Sequence, residues 1–256
     1  MRGQNTMTPD DFYNQLAPFY HLIYPDWEAS VRQQAGALDS IIREFWGGAV
    51  TSVLDVACGI GTQALGLAQL GYRVMASDLA PGAVARARQE AAARQLPMTF
   101  AVADMRDAAA LHHVPCDVVI ACDNAVPHLL TDADILAAFH AFYACVRPGG
   151  GCIITVRDYD REERAGTQVK LYGLRSEGST RYLVFQVWEF HDMLYDLAMY
   201  FVADQGGAHC TTHVLRTTYY AVGTETLKRL MAAAGFQQVR QLDNRFYQPV
   251  LIGTRP

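Results

Sequence analysis

The sequence predicts an α/β fold, a mostly parallel sheet with helices on both faces, interrupted late in the chain by an antiparallel β insertion. Three observations predict it. In "VLDVACGIGTQALG", residues 53–66, apolar Val53, Leu54 and Val56 read as a short buried strand, Gly59 and Gly61 as a tight turn, and the residues from Thr62 as the start of a helix. From there to Arg157 strand and helix patterns alternate, which is the signature of parallel strands joined by crossover helices. After Arg157 the helical spacing gives way to β-branched and aromatic runs.

The elements follow in order. Val31, Ala35, Leu38, Ile41, Ile42 and Phe45 recur at helical spacing, and Gly47-Gly48 stops that helix before the first strand. "YRVMASD" is a second strand ending at Asp78. Pro81, whose missing N–H costs nothing in a first turn, helps open a helix that runs through Gln95. "MTFAVAD" is a third strand ending at Asp104, and "CDVVIACD" a fourth ending at Asp123. Thr131 can cap the next helix, with Asp132 and Asp134 near its positive end. Pro148-Gly149-Gly150-Gly151 breaks the chain before a fifth strand, "CIITVR", which Arg157 ends.

Between 158 and 222, "RYLVFQVWEF", "LYDLAMYFVA" and "TTHVLRTTYYAV", split by "LRSEGST" and "DQGGAH", read as antiparallel strands hanging over the carboxyl edge of the sheet. A helix from about Thr224 buries Leu227, Leu230, Met231 and Ala234 and stops at Gly235. Two final strands, about 236–242 and 246–254, close the sheet. The expected organisation is a ligand-binding core of residues 1–157 and 223–256, with a helical cap at about 1–47, and an insertion or lid at 158–222.

At 256 residues and 51% hydrophobic the chain can bury one substantial core. Its net charge of −5, with no long basic run, argues against a nucleic-acid surface and against a polybasic membrane anchor, so a small molecule is the expected partner. No apolar run approaches the roughly 20 residues of a membrane span, and "MRGQNTMTPDDFYNQ" lacks the apolar core of a signal peptide, so a cytoplasmic location is expected. Six cysteines without a C-x-x-C pair give no support to a metal site and read as buried, reduced thiols. Whether the chain is a monomer or a homo-oligomer stays open.

Function is read from the residues that end the strands, because open α/β sheets bind ligands there. Gly59-Ile60-Gly61-Thr62-Gln63-Ala64 fits a dinucleotide-binding turn, and Asp78 can accept both hydroxyls of a ribose. Both features suit NAD and S-adenosylmethionine alike. Asp104-Met105 separates them: a carboxylate there can accept from an adenine amino group while the next N–H donates to the ring. The insertion after the fifth strand does not look like a second nucleotide-binding half.

"VLDVACGIG", "VMASDLAPGAV", "VADMRD", "CDVVIACDNAVPHL" and "VRPGG" together resemble the ordered motifs of class I S-adenosylmethionine-dependent methyltransferases. Within that family the chain is similar to the glycine and glycine/sarcosine N-methyltransferases. It carries Ala57-Cys58-Gly59 in the first motif, Asn124-Ala125-Val126-Pro127-His128-Leu129 where that group has Asn-Ser-Phe-x-His-Leu, and Arg157-Asp158-Tyr159-Asp160 where it has Arg-Asn-Tyr-Asp. The resemblance implies a Rossmann-like fold whose last strand is antiparallel. It implies S-adenosylmethionine as cofactor, S-adenosylhomocysteine as product, and an acceptor bearing an amine and a carboxylate. The cofactor residues it points to are Ala57, Gly59, Gly61, Asp78, Leu79, Asp104, Met105 and Asp123. The "YHLIYPDWEAS" segment resembles an aromatic stretch that closes over the ligands, which adds Tyr20 and Arg32 for the cofactor and Tyr24 for the reaction; packing on the core is the alternative.

For catalysis the candidates are Asn124, His128 and Tyr24, and for the acceptor Tyr24, Asn124, Arg157, Tyr159 and Trp188. Asn124 can orient an amine. His128 can be a general base or a structural histidine. Arg157 needs an anion, either a substrate carboxylate held in a fork, as in the resembling group, or an internal partner among Asp158, Asp160 and Glu162. An N-, O- or C-methyltransferase for a larger metabolite is the competing reading, and the volume of the acceptor pocket separates the two.

Overall fold

The computed structural model describes residues 7–111, 115–164 and 166–256. The cap begins with helix α1 (Pro9–Leu16), a 3-10 turn (Tyr20–Ile23) and helix α2 (Trp27–Trp46); residues 1–6 of the expected cap lie outside the described residues. Asp26 caps α2 by accepting the Ala29 N–H at 2.9 Å, and Gly47 ends it with a left-handed φ of 80°. Strand β1 (Ser52–Asp55), helix α3 (Thr62–Gln69), strand β2 (Arg73–Asp78), helix α4 (Pro81–Ala93) and strand β3 (Thr99–Val102) form the first half of the sheet. After a short helix α5 (Ala108–Leu111) come strand β4 (Cys116–Ala121), helix α6 (Asp132–Cys145) and strand β5 (Val146–Thr155). Four strands follow, β6 (Thr167–Glu177), β7 (Thr180–His191), β8 (Leu194–Asp204) and β9 (Thr211–Tyr220), then helix α7 (Thr224–Ala233), β10 (Gln237–Leu242) and β11 (Val250–Thr254).

The main sheet has the order β3-β2-β1-β4-β5-β11-β10, parallel from β3 through β5, with β11 antiparallel to both neighbours. This is the expected mostly parallel sheet with an antiparallel last strand. β1 and β4 are buried along their whole length because helices cover both faces. On one face Leu54, Val119 and Ile154 meet Phe139 and Phe142 of α6 and Met231 of α7; on the other, Val53, Ile120 and Ile153 meet Leu38, Ile41 and Ile42 of α2. Gly66 lets α3 approach α2, since a Cβ there would fall 2.6 Å from the Val31 carbonyl oxygen.

Several boundaries differ from the sequence reading. Pro148-Gly149-Gly150 does not break the chain: β5 runs through it from Val146, with Gly149 at φ 74° and a register irregularity against β4. β5 stops at Thr155, so Arg157 lies in the loop beyond the strand. The last strand starts at Val250, leaving 243–249 as a loop. The insertion has four antiparallel strands where three runs were legible, because β6 carries few aromatics and the "LRSEGST" stretch lies partly within it, with the turn at Gly178. Its inward face, with Trp188, Tyr195 and Phe201, packs on Phe12, Leu16 and Leu22 of the cap. No helix among the described residues is long and apolar enough to cross a membrane.

Candidate active site

Beyond β1 the backbone turns at Gly59 and Gly61, left-handed at φ 53° and 98°. A Cβ on Gly59 would sit 2.8 Å from the ring of Tyr20, so this aromatic rests on bare backbone. Asp78, at the end of β2, accepts the Gly59 N–H at 2.8 Å and the Ala80 N–H at 2.9 Å. Burial pushes its carboxyl above the usual range and these backbone bonds pull it back. Each carboxylate oxygen keeps acceptor capacity, so Asp78 both fixes the turn and can serve a ligand. Leu79, 39% exposed, offers an apolar surface next to it. Beneath the turn Asp55 is fully buried; one oxygen accepts the Ala57 N–H at 3.2 Å, the other has no partner, and desolvation raises its pKa to about 7.

At the end of β4, Asp123 and Asn124 are both left-handed, with φ 56° and 66°, a conformation that costs of order 1–3 kcal/mol per non-glycine residue. Thr155 holds the pair: its hydroxyl accepts the Asp123 N–H at 2.7 Å and its carbonyl the Asn124 N–H at 2.9 Å. Asn124 is 1% exposed, accepting the Arg157 N–H at 3.1 Å and donating to the Tyr159 hydroxyl at 2.8 Å. The reversed backbone turns Asp123 the other way, where its carboxylate accepts from the Tyr24 hydroxyl at 2.9 Å and from Gln248 at 3.3 Å. Asp123 lines two spaces at once. One is a small space of about 40 Å³ shared with Tyr20, Gly59 and Asp78; the other is a cavity of about 550 Å³.

Arg157, Lys170, Tyr172, Trp188 and Tyr247 form much of that cavity wall. The Arg157 guanidinium lies 4.9 Å over the Trp188 ring and donates to the Tyr195 hydroxyl at 3.0 Å. Among the described residues no carboxylate lies within ion-pair distance of it: Asp158 pairs with Arg161, Asp160 with Arg164, and Glu162 with Lys170. The three internal partners conceivable from sequence are therefore engaged elsewhere.

His128 borders the small space with its Nε2 2.8 Å from the Tyr13 hydroxyl and its ring 4.0 Å from that of Tyr219. Its Nδ1 is buried without a partner. Burial, aided by the positive charge of Arg157, lowers its pKa to about 3, so it is neutral near pH 7 and a weak base.

Residues 53–150 match the family model described as a methyltransferase domain. A glycine/sarcosine N-methyltransferase of Parasynechococcus marenigrum (strain WH8102) is 28% identical over 218 residues, covering 84% of this chain and 72% of that protein. DesVI of Streptomyces venezuelae shares the fold with a TM-score of 0.79 at 18% identity, covering 98% of this chain and 100% of that one. CalS10, an amino pentose methyltransferase from Micromonospora echinaspora solved with S-adenosylmethionine bound, has a TM-score of 0.75 at 21% identity over 89% of this chain and 92% of that one. The chain is an S-adenosylmethionine-dependent methyltransferase.

The methyltransferase's own residues fit that cofactor at the glycine turn. Gly59 leaves bare backbone that a Cβ would block, and Asp78 is buried with spare acceptor capacity beside it. Bound there, S-adenosylmethionine supplies the sulfonium methyl. Other expected residues lie differently. Arg32 is exposed on α2, one residue past the buried stripe of Val31 and Ala35 and so turned about 100° away from that stripe. Asp104 is engaged by Arg106, which donates from its backbone and its guanidinium and also pairs with Asp134; this holds the Asp104 carboxyl below its ordinary range despite partial burial. Met105 packs against the core. Asn124 and the fully buried Tyr159 stand behind Arg157 and not in the cavity wall, because both ends of the Asn124 amide are engaged and the Tyr159 hydroxyl meets Asn124 and Tyr195.

The sequence reading missed Lys170 and Tyr172 on β6, and Tyr247 and Gln248 in the loop before β11. A polar pair just ahead of an apolar last strand was the available signal for the latter.

Proposed function

We propose that this methyltransferase methylates the amine of a small amino acid such as glycine or sarcosine, in the cytoplasm. The observation that carries the reading is the pairing of opposite charges across one cavity: Arg157, with no carboxylate partner among the described residues, on one wall, and Asp123 at the border with the glycine-turn space. A zwitterion satisfies both. Arg157 forks onto the carboxylate; the ammonium gives up one proton to solvent, and Asp123, oriented by Tyr24, accepts N–H bonds from the resulting amine and so aims its lone pair at the methyl, the methyl–sulfur bond breaking as the methyl–nitrogen bond forms. Methyl transfer is an in-line displacement in which charge disappears at sulfur, so positioning and exclusion of water supply most of the catalysis. Tyr13, Tyr20 and Tyr24 of the cap provide that cover. Asn124 and Tyr159 act as positioning residues through Arg157, and His128 acts as a neutral hydrogen-bonding wall and not as a base.

The name of the relative from Parasynechococcus marenigrum supports this reading. A second reading, methylation of a larger metabolite, is favoured by one observation: about 550 Å³ lies within the range of sites for drug-sized ligands and exceeds what glycine needs. The test is a comparison of glycine with glycinamide, and of sarcosine with its amide, as acceptors. Turnover of the acids and not of the amides supports the carboxylate clamp. Equal turnover of both, or turnover only of a bulky uncharged amine, refutes it.

A further inference from the structure

The sheet formed by β6 to β9 buries one face against the cap and leaves the other open. On the open face the strand register sets Leu171, Phe185, Tyr200 and Val214 in a single row, with Phe185 and Tyr200 stacked at 4.6 Å. Val169 and Leu174 stand one row to either side on β6. Val169, Leu171 and Leu174 are 66%, 70% and 68% exposed, and β6 is an edge strand. The rows beyond are polar: Glu189 and Asp196 at one end, Arg181 and Asp204 at the other. An apolar centre between polar margins is the anatomy of a protein interface, and a sheet edge carrying exposed Val and Leu is otherwise an aggregation hazard.

We propose that this face is the interface of a homodimer, occupied by the same face of a second copy of the chain. Area and self-complementary shape favour a second copy. Five rows along the strands span about 33 Å and four strands about 19 Å, so the face covers roughly 630 Å² and a pair about 1,260 Å², enough for a specific contact of about 1,200–2,000 Å². A two-fold axis lying across the strands superposes the central apolar rows of the two copies, as an isologous contact requires, and sets the Glu189–Asp196 row of each opposite the Arg181–Asp204 ion pair of the other, so that the charged rows lie at the margins. The same β6 that would be covered carries Lys170 and Tyr172 into the acceptor cavity, so the second copy backs one wall of the site.

The test is sedimentation of the full chain at micromolar concentration. Wild type is expected at about twice 28.3 kDa, and the double variant Val169→Glu/Leu174→Glu at 28.3 kDa, with thermal stabilisation by S-adenosylhomocysteine retained as proof of folding. Should the double variant fail to fold, Val169→Lys alone, at an already exposed position, is expected to weaken the dimer at least tenfold. A wild-type monomer would leave the face to some other protein and overturn the proposal. So would a folded double variant, or a Val169→Lys variant, that dimerises as tightly as wild type.

Discussion

Replacing Arg157 by lysine separates the shape of the guanidinium from its charge. Arg157 donates from one nitrogen to the Tyr195 hydroxyl at 3.0 Å and spreads its plane 4.9 Å above the Trp188 ring, so its remaining donors form a fixed fork at the cavity wall. An ammonium keeps the charge, loses the plane, and offers the carboxylate one contact instead of two. A hydrogen bond to a charged group is worth about 1.5–3 kcal/mol, so the variant should lose about 1.4–2.7 kcal/mol of transition-state stabilisation, a tenfold to hundredfold fall in kcat/KM. The assay is initial rate against acceptor concentration for both proteins. Cofactor binding is the internal control: Asp78 and Gly59 make no contact with Arg157, so S-adenosylhomocysteine should stabilise the two proteins alike. Equal kcat/KM on a carboxylate acceptor would refute the clamp.

Three further perturbations probe the site. Asp78→Ala should weaken S-adenosylhomocysteine binding by about tenfold or more, seen as a smaller thermal shift, while Asp78→Asn, which keeps an acceptor, should lose less; an undiminished shift in a folded Ala variant contradicts the ribose assignment. Asp55 has a folded pKa of about 7 against an unfolded value of about 3.9, so its contribution to stability is full below about pH 4 and is lost as pH rises toward 7. Asp55→Asn should therefore gain melting temperature relative to wild type between about pH 5 and pH 8, and a pH-independent difference would contradict the buried, protonated carboxyl. His128→Asn should leave the shape of the kcat/KM profile unchanged between about pH 6 and 9, because a group with a pKa of about 3 does not titrate there; loss of a limb near pH 6.5 would make it the base.

The strand ends were legible in the sequence because a short apolar run, buried on both sides, gives way to a glycine turn or an acid, as it does at Gly59, Asp78 and Asp123. Their neighbours were misplaced where one backbone angle decides which way a side chain points. Adjacent Asp123 and Asn124 share a left-handed backbone, yet one faces the cavity and the other faces Tyr159 and Arg157. Arg32 lies exposed, one position past the buried stripe of its helix. Lys170, Tyr172, Tyr247 and Gln248 reach the site only through tertiary placement of an edge strand and of the loop before β11, which no local pattern records. The fifth strand was legible, its start was not, since glycines that usually interrupt a strand here accommodate an irregular register with β4.

The central claim, methyl transfer from S-adenosylmethionine to the amine of a small amino acid, is tested most directly by the mass spectrum of products. The protein is incubated with S-adenosylmethionine carrying a deuterated methyl and, in separate reactions, with glycine, sarcosine, an amino sugar and an uncharged aromatic amine. The account predicts the heavy methyl on the nitrogen of glycine or sarcosine, with matching release of S-adenosylhomocysteine. Label on the amino sugar or the aromatic amine alone, with glycine and sarcosine unchanged, would contradict it.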